Sequence, residues 1–421
     1  MTTRTAPEKA SRRRELTLGF SLMCVSILAG LILVEIALRV ATPKEVMRYF
    51  FMASDPVLHH RFQPHATGRY QTVEFDTEYR INSLGLRDHE FSEGKPPHTF
   101  RILMLGDSFT EGDGVETNQT FSKLIEAGLD SLVSPLHYEV INAGVGSYST
   151  ILHYLYLTHG GLALEPDLVI LNFDLSDVYD DIQYTKLARF DNNGVPAGVS
   201  PGVEEQPSSP ILSSLVSVKD FFKEHTRLYN FIRIRIDRYL EGARHEGNFS
   251  GDIRFDKYAM LRENYDPRDG RDWQLTFRYL LMIRDLLQSR EIDFWVTVYP
   301  YGLQISPKEW NAGRQFWGFT PDKIYTATPQ DNLVSFCRRN DFRVVNMIDD
   351  FRKAAQSEFP LYLNYNGHWR PDGHKIVARV LTRELRPYLR GHEQIIIKGQ
   401  KRTTSDGVVH SAAERSIHCH Q

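Results

Sequence analysis

A five-residue run, Arg101-Ile102-Leu103-Met104-Leu105, leads directly into Gly106-Asp107-Ser108-Phe109-Thr110, and this junction constrains the chain more than any other stretch. The run reads as a strand, and the tight Gly-Asp-Ser turn behind it places a hydroxyl at the carboxyl edge of a sheet. That edge is where open α/β folds keep their chemistry. A serine in such a turn reads equally well as a helix cap, so Ser108 needs company before it means catalysis.

The rest of the chain supplies the rhythm that the first strand calls for. Gln119–Val133 is predicted to be a helix with Phe121, Leu124, Ile125, Leu129 and Leu132 on one face and Asn118 available as its cap. Tyr138–Asn142 reads as a second strand, Thr150–His159 as a helix and Asp167–Phe173 as a third strand. The pattern resumes with a helix at Gln274–Ser289, a strand at Ile292–Tyr299, a helix at Asn332–Arg339, a strand at Phe342–Met347 and a last helix at His374–Leu389. Strands alternating with helices predict a parallel sheet of about five strands with helices on both faces.

Between these halves, residues 180–272 form an insertion rich in Pro, Gly, Ser and charge. Leu228, Phe231, Ile232, Ile236, Tyr239 and Leu240, with interleaved arginines, make a basic amphipathic pattern inside it. Such a helix either packs on its own domain or rests on an anionic membrane surface, and an insertion of this length also suits a lid or a groove wall. Residues 41–98 read as a connecting segment whose His59, His60 and His65 are surface or packing residues. Residues 391–421 read as a polar, unstructured tail, with His418-Cys419-His420 as part of it rather than a metal site.

The chain of 421 residues, 41% of them hydrophobic, is long enough for a large core, and its net charge of −3 gives no argument for nucleic acid. Three cysteines form no disulfide framework. Leu16–Val34 is free of charge and follows Arg12-Arg13-Arg14. A helix of that length spans about 28 Å, enough for a bilayer core. Glu35 and Arg39 stand four apart and can pair at the far interface. A signal peptide shares the flanking charge, but its apolar region is shorter and no small-residue cleavage site follows here. The expectation is a cytoplasmic basic tail over residues 1–15, a transmembrane helix over 16–40 and an α/β domain over 99–390 held outside the cytoplasm, in the periplasm or at the cell surface.

Ser108 gains its company late in the chain, in Asn366-Gly367-His368-Trp369-Arg370-Pro371-Asp372-Gly373-His374. His368 is the candidate base, in a loop before the last helix; His374, at the start of that helix, is the alternative imidazole. With Gly106-Asp107-Ser108-Phe109-Thr110-Glu111-Gly112-Asp113-Gly114-Val115 and Ile81-Asn82-Ser83-Leu84-Gly85-Leu86-Arg87-Asp88, these blocks resemble the SGNH (GDSL-type) hydrolase superfamily, most closely its membrane-anchored subgroup. The resemblance runs over about residues 80–390 and implies a three-layer, flavodoxin-like fold and an esterase without metal or cofactor.

The resemblance further implies that the Ser108 N–H helps bind the oxyanion, with more donors from the loop Asn142–Ser149. Ser147 falls on the family's glycine position and Gly146 lies beside it, while Asn142 and Gly144 shape the turn. Two departures follow. Where the family presents an Asn to the oxyanion, this chain has Asp174-Leu175-Ser176-Asp177, leaving Ser176 as a shorter donor or a bystander. Where the family carries an acid before its histidine, this chain has Tyr365 and Asn366. An Asn carbonyl orients an imidazole but brings no charge to stabilise its cation. The site then works as a dyad, runs slowly, or draws a carboxylate from elsewhere, for which Asp372 is poorly placed.

The leading expectation is a membrane-anchored esterase acting through an acyl-serine, with an acylated glycan or lipid-like ester as partner. Trp369, Tyr148, Trp295, Tyr299 and Tyr301 are candidate sugar platforms or ordinary core and rim aromatics. An O-acyltransferase of cell-surface polysaccharide would use the same residues, and a glycan-binding or assembly protein with the same fold needs none of them.

Overall fold

The computed structural model describes residues 6–41, 51–72, 74–131, 134–201, 257–263, 265 and 270–414, with single positions between 218 and 232. The chain divides into two compact units, Met1–Glu45 with Val203–Gly247, and Val46–Gly202 with Asn248–Gln421. The basic amphipathic pattern over residues 228–240 lies outside the described residues except for Leu228, Tyr229 and Ile232.

In the first unit, helix α1 spans Ala6–Ala41. Its segment Thr17–Arg39 is 23 residues long and contains an 18-residue stretch with a mean hydropathy of 2.4, and Leu18, Phe20, Val25 and Leu33 are exposed. This length and composition suffice to cross a membrane, and a membrane anchor and a secretory signal share them. Arg39 pairs with Glu35 at 2.7 Å, as their spacing predicts.

The second unit opens with two small antiparallel hairpins, β1 (Met52–Asp55) with β2 (His59–Phe62), and β3 (Thr67–Gln71) with β4 (Asp76–Arg80). From Val46 onward the segment read as a connector therefore belongs to the α/β unit. The chain continues through β5 (Thr99–Gly106), the single turn α2 (Ser108–Glu111), α3 (Phe121–Asp130), β6 (His137–Gly144), α4 (Thr150–His159) and β7 (Leu168–Phe173). Next come α5 (Ser176–Leu187) and a two-stranded ribbon, β8 (Ala188–Phe190) with β9 (Pro196–Val199). The second half holds α6 (Gln274–Gln288), β10 (Asp293–Val298), α7 (Asn311–Phe316), α8 (Thr328–Arg339), β11 (Arg343–Asn346), α9 (Ile348–Ala354) and α10 (Pro371–Glu414).

Five strands pair in the order β11-β10-β7-β5-β6, all parallel. This is the flavodoxin-like order. The chain moves from β5 outward to β6 and then back across to β7, so a crevice opens between the carboxyl ends of β5 and β7. Residues 99–106 of β5 are buried on both faces, as a central parallel strand requires. Helices α3 and α10 pack together on one side, with α9 beside α10; α4, α5 and α6 pack together on the other.

Helix α3 shows how sequence becomes packing here. Phe121, Ile125 and Leu129, four residues apart, are fully buried, each burial contributing about 1.5–3 kcal/mol. Its cap differs from the expected Asn118, which sits in a short turn, Thr117–Gln119, ahead of the helix. Thr120 is the N-cap but lends no side-chain bond; the first N–H of the helix, on Phe121, instead donates to His374 Nδ1 at 3.2 Å.

At its far end the backbone of α10 stays helical to Glu414, past the Gly391 from which the sequence reading leaves the tail unstructured. One glycine in a helix costs only about 1 kcal/mol and does not by itself stop it.

Candidate active site

Ser108 stands immediately beyond the carboxyl end of β5, at the reversal point of the sheet, as the first residue of α2. The turn is crowded: a Cβ at Gly106 would collide with Thr110, so only glycine fits there. Asp107 caps α2 by accepting the Phe109 N–H at 2.9 Å. Gly112, at φ +87°, ends that turn in the left-handed region.

The block Ile81–Asp88 explains itself through this turn. Arg87 is fully buried and donates to the carbonyls of Glu111, Gly112 and Val115 at 3.0, 2.6 and 2.6 Å. Its guanidinium lies 3.8 Å from the Tyr79 ring centre. Asp88 accepts the Asn142 N–H at 2.7 Å and pairs with Lys123 at 2.7 Å, tying β6 and α3 to the same block. Buried polar groups that each bond several backbone atoms hold one geometry, and that geometry carries Ser108.

The histidine loop arrives from the other end of the chain. His368 Nε2 lies 2.6 Å from Ser108 Oγ, and His368 Nδ1 makes a short contact with Asn366 Oδ1. The Phe109 ring packs 4.5 Å from the imidazole. The loop is held by Glu74, between β3 and β4, whose carboxylate accepts the backbone N–H groups of Asn364, Tyr365 and Asn366 at 2.5, 3.0 and 2.8 Å. A carboxylate closer than any considered from the sequence is Asp113, whose Oδ2 is 3.7 Å from His368 Nδ1. Asp372 stays away from the site, paired with Lys375 at 2.8 Å.

The expected oxyanion donors are only partly brought together. Ser108, Ser147 and Ser176 all line one cleft with His368 and Asn366. Among the described residues, no acceptor is recorded for the backbone N–H of Ser108 or Ser147. Ser147 sits at φ +63°, the left-handed conformation for which a glycine is the usual solution. Gly146 is a correction: its N–H donates to Glu111 Oε2 at 2.7 Å, so it cannot serve an oxyanion. Asn142 and Gly144 shape the turn as expected, Asn142 donating to Thr110 O and accepting from the Gly144 N–H at 2.9 and 3.0 Å. Ser176 opens α5, its N–H bound to Asp174 Oδ1 at 2.7 Å.

His374 is fully buried and accepts from α3; burial, then the nearby Arg87 and His368, pushes its pKa down to about 3. It is a neutral acceptor in the core. His60 reaches Gly146 O at 2.8 Å, a packing role beneath the loop that carries Ser147.

The aromatic platforms need correcting. Trp369, Tyr148, Trp295 and Tyr299 are closed in the core at 0–3% exposure, leaving them no face for a sugar. Tyr301 does line the cleft, with Tyr258 and Trp310, which sequence reasoning missed because neither lies near a predicted strand end. Tyr299 and Tyr301 both donate to Asp174, at 2.6 and 2.5 Å. Asp180 and Lys257, from the start and the later part of the insertion, complete the wall. Burial pushes the Asp180 carboxyl up to about 8, against the pull of Lys257. The cleft holds about 140 Å³.

No family model matches the chain, and no curated protein matches it. Solved structures do. An acetyl xylan esterase aligns over 67% of this chain and 98% of its own at 13% identity and a TM-score of 0.36. A variant of an acetylxylan esterase from Geobacillus stearothermophilus aligns over 68% and 94% at 12% identity and a TM-score of 0.36. A G-D-S-L family lipolytic protein from Desulfitobacterium hafniense aligns over 67% and 98% at 13% identity and a TM-score of 0.32. Likeness at that level carries no argument about chemistry.

Proposed function

We propose that this chain is a membrane-anchored ester hydrolase of the SGNH type that removes short acyl groups, acetyl above all, from carbohydrate outside the cytoplasm. The observation that carries this reading is the 2.6 Å approach of His368 Nε2 to Ser108 Oγ, with Nδ1 held by Asn366. A nucleophile, its base and a group that orients the base within hydrogen-bond reach are what acyl transfer through serine needs.

In this mechanism His368 Nε2 takes the Ser108 proton as Oγ attacks the ester carbonyl carbon. The carbonyl oxygen becomes an oxyanion facing the N–H groups of Ser108 and Ser147 and the Ser176 hydroxyl. The ester C–O bond breaks, His368 returns the proton to the departing alcohol, and an acyl-serine remains. Water then attacks the acyl carbon with His368 as base, and the carboxylic acid leaves as Ser108 regains its proton. With Ser176 in the third donor position, the hole has a mobile hydroxyl where a fixed amide would hold the charge better.

Phe109, Tyr258, Tyr301 and Trp310 close in on the cleft beside Ser108, and these bulky walls favour a short acyl group. Tyr258, half-buried on the cleft wall with Tyr301 and Trp310 packed 5.6 and 5.5 Å from it, suits the face of a sugar ring. The apolar helix Thr17–Arg39 behind Arg12–Arg14 supports a single-pass anchor with the N-terminus inside.

The test is hydrolysis of p-nitrophenyl acetate and p-nitrophenyl octanoate by the detergent-solubilised full chain, beside Ser108→Ala and His368→Ala. Acetate turnover that both substitutions abolish, with octanoate much slower, is the expected result. Turnover indifferent to both substitutions would exclude the reading, and octanoate preferred over acetate would exclude the short-acyl part. Acyl transfer to an added sugar in place of hydrolysis would move the chain to the transferase class with the same two residues.

A further inference from the structure

We infer that Asp113 is the charged partner of His368, so that the acid missing at position 366 is supplied by the nucleophile's own turn; this rests on Ser108 and His368 being the acyl-transfer pair. An imidazole that takes a proton from serine becomes a cation. Asn366 accepts at Nδ1 and fixes which nitrogen carries hydrogen, yet an amide carries no charge to offset that cation. Asp113 Oδ2 lies 3.7 Å from the same nitrogen, and Asp113 is 2% exposed. At that distance a carboxylate stabilises an imidazolium and raises its pKa.

The placement of Asp113 is fixed by the turn that fixes Ser108. Its N–H donates to Ser108 O at 3.0 Å. Glycines at 112 and 114, with φ of +87° and +89°, bracket it, and Arg87 grips the carbonyls of Gly112 and Val115. A Cβ on Gly114 would press within 2.6 Å of Leu363, just before the histidine loop, so turn and loop meet without slack. Nucleophile and acid thus leave one rigid segment five positions apart, and the imidazole sits between them.

The other acids around the imidazole have different work. Asp107 caps α2, Glu111 holds Tyr79 and Gly146, and Glu74 holds the loop backbone. Asp174 takes two tyrosine hydroxyls, and Asp180 stands across the cleft with Lys257. Among the described residues Asp113 is the only carboxylate recorded within 4.0 Å of the His368 ring nitrogens. Division of labour follows: Asn366 sets the tautomer and Asp113 supplies the charge. Asp113 is a positioning and charge-balancing residue, not one that touches substrate.

The experiment uses the full chain in detergent and the variants Asp113→Asn and Asp113→Asn/Asn366→Asp. Loss of the charge is expected to lower kcat by about 10²–10³, below the ~10⁴ seen when an acid bonded directly to the imidazole is neutralised, with KM nearly unchanged. The acid limb of the kcat/KM profile moves down by about one pH unit, because His368 loses the charge that raises its pKa. The double variant, with a carboxylate back at Nδ1, recovers at least about tenfold, a rescue that a packing role for Asp113 would not permit. Titration of ¹³C-labelled histidines, with His368 assigned through His368→Gln, reads the same pKa without any substrate. A lower His368 pKa in Asp113→Asn supports the pairing even in a chain that hydrolyses no ester, in which case the esterase reading fails alone. An unchanged imidazole pKa with no rescue by the double variant overturns the inference.

Discussion

The turn that carries Ser108 and the loop that carries His368 meet at 2.6 Å, but they are built by opposite means. The serine turn grows out of a fully buried central strand, is crowded enough to demand glycine at 106, and is clamped by a buried arginine from a neighbouring block. The histidine loop has little core of its own. Tyr365 is exposed, and three of the loop's N–H groups depend on one carboxylate, Glu74, almost 300 positions earlier. A half-site fixed by local packing therefore faces one tied from distant segments, by Glu74 and by Trp310, Ala312 and Gly313, which bond Asn364 and Tyr365. Errors in the first should damage folding, and errors in the second should damage chemistry.

The sharpest way to break this comparison is Arg87→Ala. It leaves buried carbonyls on the nucleophile turn without their donor, and destabilisation of about 3–5 kcal/mol is expected in chemical denaturation. A loss below about 1 kcal/mol would mean that the turn does not depend on its clamp. Glu74→Ala should do the reverse, lowering kcat on p-nitrophenyl acetate by about 10²-fold while stability falls by only about 1–2 kcal/mol. Equal losses of stability in the two variants would erase the distinction drawn here. Ser176→Ala tests the third oxyanion position, where a rotating hydroxyl is expected to contribute about tenfold to kcat, short of the 10²–10³ for a fixed donor. His374→Gln is the smallest case: its amide can still accept from Phe121, and kcat should stay within about twofold of the parent.

The cleft wall adds a pH dependence that belongs to neither half-site. The Asp180 carboxyl, raised by burial to about 8 from its ordinary 3.8, holds its proton in the folded chain where the unfolded chain has lost it. Between those values the folded state binds more protons, so this group's contribution to stability falls as pH rises. Asp180→Asn removes the titration, and its stability relative to the parent should increase steadily from about pH 4 to about pH 8. A constant difference across that range would show that Asp180 ionises normally.

Much of the framework was legible because it is written in local patterns. The five parallel strands lie within about two residues of their predicted ends, since uninterrupted apolar runs between helices leave little else for them to be. The hairpins over residues 52–80 escaped notice because strands of four or five mixed residues carry too little periodicity to stand out from a loop. Ser108, His368 and Asn366 were found through motif and chain order, and the alternation of elements brought them to one sheet edge.

What the sequence by itself determined, then, is the five strands of the main sheet, the helices α3, α4, α6, α8 and α10, the parallel arrangement, and which serine and histidine stand at the end of the sheet. These follow from short-range periodicity and turn chemistry. Only the tertiary structure decided that Gly146 gives its N–H to Glu111, that four of the five expected aromatic platforms are core, and that Glu74 and Asp113 converge on the histidine loop. Such decisions depend on which donors and acceptors meet across long separations in the chain. Distance along the sequence carries no trace of them, whereas a buried polar group must find its partner wherever the fold has put it.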